Sequence, residues 1–375
     1  YTQYNDKEGG FWIGTSNRWL LYYHPERFKF RNFGRTLFKQ NNGSELMVYS
    51  FCKDESQMLV GTQQGLFQYT ITEGTMPVSI PLSLHPGIPA KASCIMLWKD
   101  NSQRIWVCTN NGYGLYSIKH DDIRHYTFPF QNINYLHETF DGRLFLGTNL
   151  GFGSFDPLSG NYEQLNTETS PLGNVYQLTE YGQDTLIGLS DQGIFIYDFK
   201  RDSLSIPAQL TGQKNAIFTH SNHHYNCLFI DSRGLIWFGT YDGINIWDPE
   251  SNKLSTFHTE DGLVNNVIKS IVEDHLHRIW ISTSNGISRI ELKKEEESYQ
   301  YSFSNFNRYD GVIEYEFLPR SVYLDPEGKL LWGGLDGFNE IDYTQLYQES
   351  QKLSTPLFIR FFLAAREIKQ GEIYN

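Results

Sequence analysis

The chain has 375 residues, of which 39% are apolar and 15% aromatic, and its formal net charge is −12. This acidic balance argues against nucleic acid or an anionic membrane surface as a partner, because proteins that bind them present basic surfaces. An anionic ligand would need a local cluster of Arg or Lys. The cysteines lack metal-ligand spacing and no apolar run approaches a membrane span, so we expect no metal, no cofactor and no direct membrane contact.

A strand–turn–strand pattern is repeated along the whole chain. Its clearest copy is residues 234–248, where an apolar strand ends in Gly-Thr, an Asp-Gly pair typical of a type I′ hairpin turn follows, and a second strand ends in Trp-Asp. A period of about 40 residues with several short strands per repeat is typical of propeller blades. The eight core strands begin at Trp12, Leu59, Trp106, Phe145, Leu186, Trp237, Trp280 and Leu331.

Two small features of the repeat have a predicted structural role. An Asp precedes the core strand by six residues in most copies, as Asp274 does before Trp280, and we expect it to shape the turn into that strand. The Gly of the Gly-Thr pair should let backbone or an aromatic ring of the next blade approach closely. The repeated Trp residues are predicted to fill the space between blades rather than to contact a ligand.

The number of blades follows from the inner strands that precede the core strands. Every copy after the first has an apolar inner strand, whereas in residues 1–33 this strand is missing or only stubbed by Tyr4-Asn5-Asp6. The sequence therefore favours an all-β propeller of seven four-stranded blades, with eight as the alternative. In the seven-blade interpretation, residues 1–33 are a seam from a preceding propeller or lend a strand that closes this one. Residues 34–350 form the propeller, and the strand after Pro356 places residues 351–375 at the start of a following domain.

The candidate ligand-binding residues are those that break the repeat. No G-x-S-x-G, H-E-x-x-H or P-loop pattern is found, so catalysis is an alternative rather than the expectation. A saccharide site needs aromatic rings that stack on sugars and polar groups that bond to hydroxyls. For each candidate, an ordinary loop or domain-contact role is the alternative. The candidates are Arg18, Trp19, His223, Tyr225, Arg308, Tyr309, Asp310 and Arg320.

The repeat resembles a known family. The pattern Asp-x-x-Gly-x-Ile-Trp-φ-Gly-Thr-x-x-Gly-Ile, in which φ is an apolar residue, is similar to the two-component regulator propeller repeat of hybrid sensors in Bacteroides-type bacteria. The strand from Thr355 is similar to the start of the β-sandwich that follows the second propeller of these sensors. Residues 11–23 resemble the unit at the junction of their two propellers, and depart from it at Asn17-Arg18-Trp19. Similarity to the family's closing blade lies in Asp310-Gly311, Glu316-Phe317, Gly333-Gly334 and Gly337-Phe338.

The resemblance implies a periplasmic sensing region whose parent, anchored in the inner membrane, carries a transmembrane helix, a histidine kinase and a DNA-binding response regulator. It implies an oligosaccharide ligand released from complex glycans, with signalling through a homodimer and no catalysis in this region. Two other functions stay open. One is a propeller that serves only protein interaction or dimerisation, and the other is a propeller-type glycan hydrolase or lyase.

Overall fold

The structure is a computed structural model, and it is almost entirely β. It describes residues 2–5, 11–14, 20–23, 29–34, 46–70, 83–120, 122–165, 172–182, 184–205, 225–295, 298–312, 316–344, 361–363 and 366–368. Two short 3₁₀ turns, Thr259–Asp261 and Arg308–Asp310, interrupt the strands. No helix in these ranges is long and apolar enough to cross a membrane.

Seven four-stranded antiparallel sheets form the blades, which confirms the predicted seven-bladed propeller. Blade 1 has β5 (Val48–Asp54), β6 (Gln57–Thr62), β7 (Gly65–Thr70) and β8 (Ser83–Leu84). Blade 2 has β9 (Cys94–Lys99), β10 (Ile105–Thr109), β11 (Leu115–Lys119) and β12 (Asp122–Tyr126). Blade 3 has β13 (Ile133–Glu138), β14 (Leu144–Thr148), β15 (Gly151–Phe155) and β16 (Tyr162–Gln164). Blade 4 has β17 (Val175–Glu180), β18 (Thr185–Ser190), β19 (Gly193–Asp198) and β20 (Ser203–Ser205).

The second half of the ring repeats this order until the last strand. Blade 5 has β21 (Tyr225–Ile230), β22 (Ile236–Thr240), β23 (Ile244–Asp248) and β24 (Lys253–Phe257). Blade 6 has β25 (Ile268–Glu273), β26 (Ile279–Thr283), β27 (Gly286–Glu295) and β28 (Ser298–Phe306). Blade 7 has β29 (Phe317–Leu324), β30 (Lys329–Gly334) and β31 (Gly337–Asp342), and its fourth strand is β4 (Arg31–Gly34).

The outer strand of blade 7 thus comes from the start of the chain. Strand β4 pairs antiparallel with β31, and Phe33 stacks on Phe338 with ring centroids 4.3 Å apart. On the inner side, β5 packs between β29 and β9, and the Ser321 hydroxyl donates a 2.9 Å hydrogen bond to the Val48 carbonyl. Both contacts join blade 7 to the beginning of the propeller. Strand β4 spans the boundary predicted between residues 33 and 34.

Short strands outside the propeller form two further sheets. At the start of the chain, β1 (Thr2–Asn5), β2 (Phe11–Gly14) and β3 (Leu20–Tyr23) make a three-stranded sheet. Near the end, β32 (Phe361–Leu363) and β33 (Arg366–Ile368) pair with each other.

The core is divided among the blade interfaces. Within the described residues it consists of seven hydrophobic clusters, one between each pair of neighbouring blades. Trp106, Trp237 and Trp280 are completely buried in these clusters, as predicted. A Cβ added at Gly147 would lie 2.9 Å from the carbonyl oxygen of Val175 in the next blade, so the Gly of the repeat does permit a close backbone approach.

The Asp and Thr of the repeat hold the two turns of the hairpins that carry them. Asp274 accepts hydrogen bonds from the Trp280 indole (2.7 Å) and from the backbone N–H of Arg278 (3.1 Å). In the next turn, the Thr240 hydroxyl donates to the carbonyl of Gly243 (2.9 Å) and accepts from the N–H of Asp242 (3.0 Å). Gly243 has φ 93°, but Asp242 does not have positive φ. The predicted type I′ turn is therefore wrong, because the Thr hydroxyl holds a turn in which only the Gly is left-handed.

Candidate functional site

The inner strands bulge at the same level around the central channel. In six blades one extra residue interrupts the ladder near the start of the strand. These extra residues are Tyr49, Ile95, Asn134, Tyr176, Asn226 and Lys269. A bulge redirects side chains that regular alternation would place in the blade interface or the channel.

Blade 7 has a larger irregularity at this level. Phe317 of β29 pairs with Gly334 of β30, and the next pair is Val322 with Trp332. The four residues 318–321 therefore all lie opposite the single residue Gly333. Within this segment Arg320 adopts a left-handed φ of 62°. Non-glycine residues rarely adopt this conformation, and where they do it often serves a functional site.

A cavity of about 550 Å³ occupies the channel beside these bulges. This volume lies within the roughly 300–1,000 Å³ that is usual for small-molecule pockets. Aromatic rings in its wall come from Tyr49, Phe51, Trp98, Tyr135, Tyr176 and Tyr323. Its amide groups come from Asn110, Asn132 and Asn134, and its cations from Lys53, Lys99 and Arg320.

Arg320 is held in a defined position in this cavity. Its Nη1 donates a 2.7 Å hydrogen bond to the carbonyl of Asn226, and its guanidinium carbon lies 5.2 Å from the centroid of the Tyr176 ring. The Tyr176 hydroxyl donates in turn to Asp191 at 2.7 Å, which fixes the ring. Burial lowers the pKa of Arg320, partly offset by the nearby thiol of Cys227 and by tyrosines. Because the pKa of an arginine lies so far above neutral pH, the side chain of Arg320 still stays charged.

The two lysines of the cavity differ from Arg320 because each has a carboxylate partner. Lys53 Nζ lies 2.5 Å from Glu327 and 3.3 Å from Asp325. Lys99 Nζ lies 3.2 Å from Asp54. Among the residues that the structure describes, no Asp or Glu carboxylate lies within 4.0 Å of the Arg320 guanidinium.

The chemistry of the wall favours binding over reaction. The described lining residues include no Asp, Glu or His that could act as a general acid or base. Burial raises the pKa of the Cys52 thiol to about 12, so this lining cysteine is not a thiolate near neutral pH. No cluster of three metal-ligating side chains occurs in the described part of the chain. Rings, amides and a fixed cation suit a polar ligand with a flat or ring-shaped apolar face.

Of the candidates chosen from the sequence, Arg320 alone is among the lining residues of the cavity. Arg18, Trp19 and His223 lie outside the described residues. Tyr225 opens β21 and packs against the cluster between blades 4 and 5, where burial raises its pKa.

Arg308, Tyr309 and Asp310 lie in the 3₁₀ turn before β29. There the Arg308 guanidinium covers the Tyr309 ring at 4.8 Å, Tyr309 is 54% exposed, and the Asp310 carbonyl accepts the backbone N–H of Lys29 at 3.0 Å. This turn therefore supports the segment that leads into β4.

The repeat pattern did not predict the lining residues of the inner strands, such as Tyr49, Asn134 and Tyr176. They lie in apolar runs that look like ordinary strand alternation. The signal that could have found them is the single extra residue that shifts the alternation in each inner strand. Because that shift is defined only against the partner strand, it is weak in the sequence alone.

Two segments of the chain match a known family. The family described as "Two component regulator propeller" matches residues 219–242 and 262–285, which include the inner strand and the core strand of blades 5 and 6. No curated protein matches the chain significantly.

Solved structures with the same fold include extracellular domains of two-component systems. The chain is similar to the extracellular domain of the putative hybrid two-component system BT3049 from Bacteroides thetaiotaomicron, with TM-score 0.70 and 17% identity over 98% of this chain and 49% of that one. It is also similar to the corresponding domain of BT4673 from the same organism, with TM-score 0.61 and 19% identity over 90% of this chain and 46% of that one. The chain thus spans about half the length of these domains.

An enzyme shares the architecture as well. Virginiamycin B lyase from Staphylococcus aureus has a TM-score of 0.60 and 13% identity over 84% of this chain and 99% of its own. At such identities the likeness to all three structures concerns the fold, and a propeller fold hosts many functions. The function of this propeller therefore depends on the chemistry of its own channel.

Proposed function

We propose that this propeller is the extracytoplasmic ligand-sensing region of a hybrid two-component regulator, and that it binds a glycan-derived oligosaccharide without transforming it. In this proposal the region lies in the periplasm, and its parent is anchored in the inner membrane and controls transcription of genes for glycan use. The observation that supports it most is the channel cavity, whose described wall has six aromatic rings, three amides and no carboxylate or imidazole.

The two-component repeats and the sensor domains of the same fold support the signalling part of the proposal. A seven-bladed ring with a cluster at every interface is stiff, so a ligand in the channel would act by changing how two rigid periplasmic regions pack in a homodimer. The ligand can shift that packing only if its affinity differs between the two arrangements.

The proposal is tested by titrating defined oligosaccharides into the protein by calorimetry, with wild type, Tyr49→Ala and Tyr309→Ala. Tyr49 lines the cavity, whereas Tyr309 is exposed on the 3₁₀ turn. Loss of one stacking ring is expected to cost about 0.5–1.5 kcal/mol of binding free energy, or roughly 2- to 12-fold in affinity. Tyr309→Ala should bind as wild type does.

Absence of heat with every oligosaccharide class, or equal binding by the two variants, would contradict the proposal. The same samples separate the alternatives. A propeller used only for protein interaction would self-associate without binding saccharides, and product formation from any glycan would indicate a hydrolase or lyase.

A further inference from the structure

Arg320 differs from the lysines near the channel because no described carboxylate balances its positive charge. Each lysine near the channel has a carboxylate within 4.0 Å: Lys53 and Lys99 as described, and Lys269 with Glu316 at 2.5 Å. The Arg320 guanidinium faces instead a backbone carbonyl and the Tyr176 ring. In a chain of net charge −12, a cation inside a cavity with no carboxylate among its described neighbours attracts an anion to that point.

The position of Arg320 is built by three separate elements. The four residues opposite Gly333 push the β29 backbone out of the regular ladder, and the left-handed φ of Arg320 turns its side chain into the cavity. Asn226 of blade 5 then occupies one guanidinium nitrogen, and Tyr176 of blade 4 supports the guanidinium plane. A guanidinium has five N–H donors in a flat fork, so one bond to Asn226 leaves donors for a ligand.

We propose that Arg320 binds the carboxylate of an acidic ligand in the channel, and that the ligand is a uronic-acid-containing oligosaccharide. The carboxylate would take the guanidinium fork, a sugar ring would stack on the aromatic wall near Tyr49, and the amides of Asn132 and Asn134 would bond to hydroxyls. Arg and carboxylate match in shape and charge, and their hydrogen bonds are strengthened where water is partly excluded. The choice of a saccharide rests on the proposed function, whereas the choice of a carboxylate rests on Arg320.

The test is calorimetric titration with three probes: digalacturonate, the neutral galactobiose of the same linkage, and phenylacetate as a carboxylate that is not a saccharide. Each is measured with wild type, Arg320→Gln, Arg320→Lys and Arg201→Gln. Arg201 is a matched control because its side chain is 81% exposed at a turn of blade 4. Circular dichroism spectra and thermal melts establish that each variant is folded.

Wild type is expected to bind digalacturonate about 10- to 100-fold more tightly than galactobiose, which is what a charge-assisted hydrogen-bonded pair contributes. Arg320→Gln should remove that preference, so that this variant binds digalacturonate no more tightly than galactobiose. Arg320→Lys should keep part of it, because the charge remains and the fork is lost. Arg201→Gln should behave as wild type. If Arg320→Gln does not fold, Arg320→Lys decides by the same comparison.

The outcomes separate this inference from the proposed function. Galactobiose binding as tight as digalacturonate binding, or an acid preference that survives in Arg320→Gln or is undiminished in Arg320→Lys, would overturn the inference and leave an oligosaccharide sensor intact. Binding of phenylacetate alone, lost in Arg320→Gln, would support the carboxylate site and contradict the saccharide function. No heat with any of the three probes would overturn the inference, whereas the proposed function would fall only if every other oligosaccharide class also gave no heat.

Discussion

Replacing Asp274 with Ala would remove the side chain whose hydrogen bonds hold the turn before the core strand of blade 6. The carboxylate is completely buried, and one oxygen accepts from the Trp280 indole and from the Arg278 Nε, both at 2.7 Å. Its other oxygen accepts the backbone N–H groups of Leu276 at 2.8 Å and Arg278 at 3.1 Å. A single substitution therefore breaks four hydrogen bonds and leaves a buried guanidinium without its anion.

The expected loss of unfolding free energy is about 3–5 kcal/mol, because removing one partner of a buried ion pair leaves an uncompensated charge. The matched control is Asp141→Ala in the equivalent turn of blade 3. That carboxylate is 59% exposed and pairs with Arg143 at 2.9 Å. An exposed pair contributes only about 0–1 kcal/mol, so the control should change stability little.

Urea unfolding followed by tryptophan fluorescence measures both variants against wild type. Asp274→Asn should fall between wild type and Asp274→Ala, since the amide oxygen still accepts one hydrogen bond while the charge is lost. If Asp274→Ala costs no more than Asp141→Ala, the Asp of the repeat does not stabilise the blade, and our account of its role is wrong.

Three further changes test packing, ring closure and pH dependence. Gly147→Ala should lower the unfolding free energy by about 1–3 kcal/mol in urea titrations, because its Cβ would crowd the Val175 carbonyl of the next blade. Phe33→Ala should cost about 3–5 kcal/mol in the same assay, because Phe33 is buried on the closing strand against Phe338. Burial lowers the pKa of His137 from 6.5 to about 4, so its neutral form stabilises the fold above pH 6.5. That contribution, about 3 kcal/mol, is lost as the pH falls towards 4, and His137→Phe should show a smaller loss between pH 7 and pH 4.

Each of these three substitutions has a control substitution at an exposed or loosely packed position. Among the described residues, an added Cβ at Gly34 would meet the Asp336 carbonyl at 4.0 Å and nothing closer, so Gly34→Ala should be tolerated better than Gly147→Ala. Tyr4 is 62% exposed, so Tyr4→Ala should lower the unfolding free energy much less than Phe33→Ala does. The exposed His120 has φ 52°, which Asn tolerates, so His120→Asn should keep the pH dependence of wild type. Equal effects of a variant and its control would refute the corresponding reasoning.

The hairpin signals in the chain were sufficient to predict an all-β propeller, and the count of inner strands was sufficient to favour seven blades. The reason is that each blade is specified locally. An Asp before the core strand, a Gly-Thr pair after it and a Trp between them form their decisive contacts within a few residues, as Asp274 and Trp280 do. The type I′ turn at Asp242 was predicted wrongly because the Thr240 hydroxyl, rather than the Asp-Gly pair alone, sets its geometry.

The channel depended on contacts that no local pattern contains. Arg320 was selected because it breaks the repeat, but its place in the cavity follows from the register of β29 against β30. Its neighbours Asn226 and Tyr176 come from blades 5 and 4, far away in the chain, and meet it only because the ring is closed. A strand's own residues determine that it pairs, whereas what lies across the channel is determined by how seven blades fit around one axis.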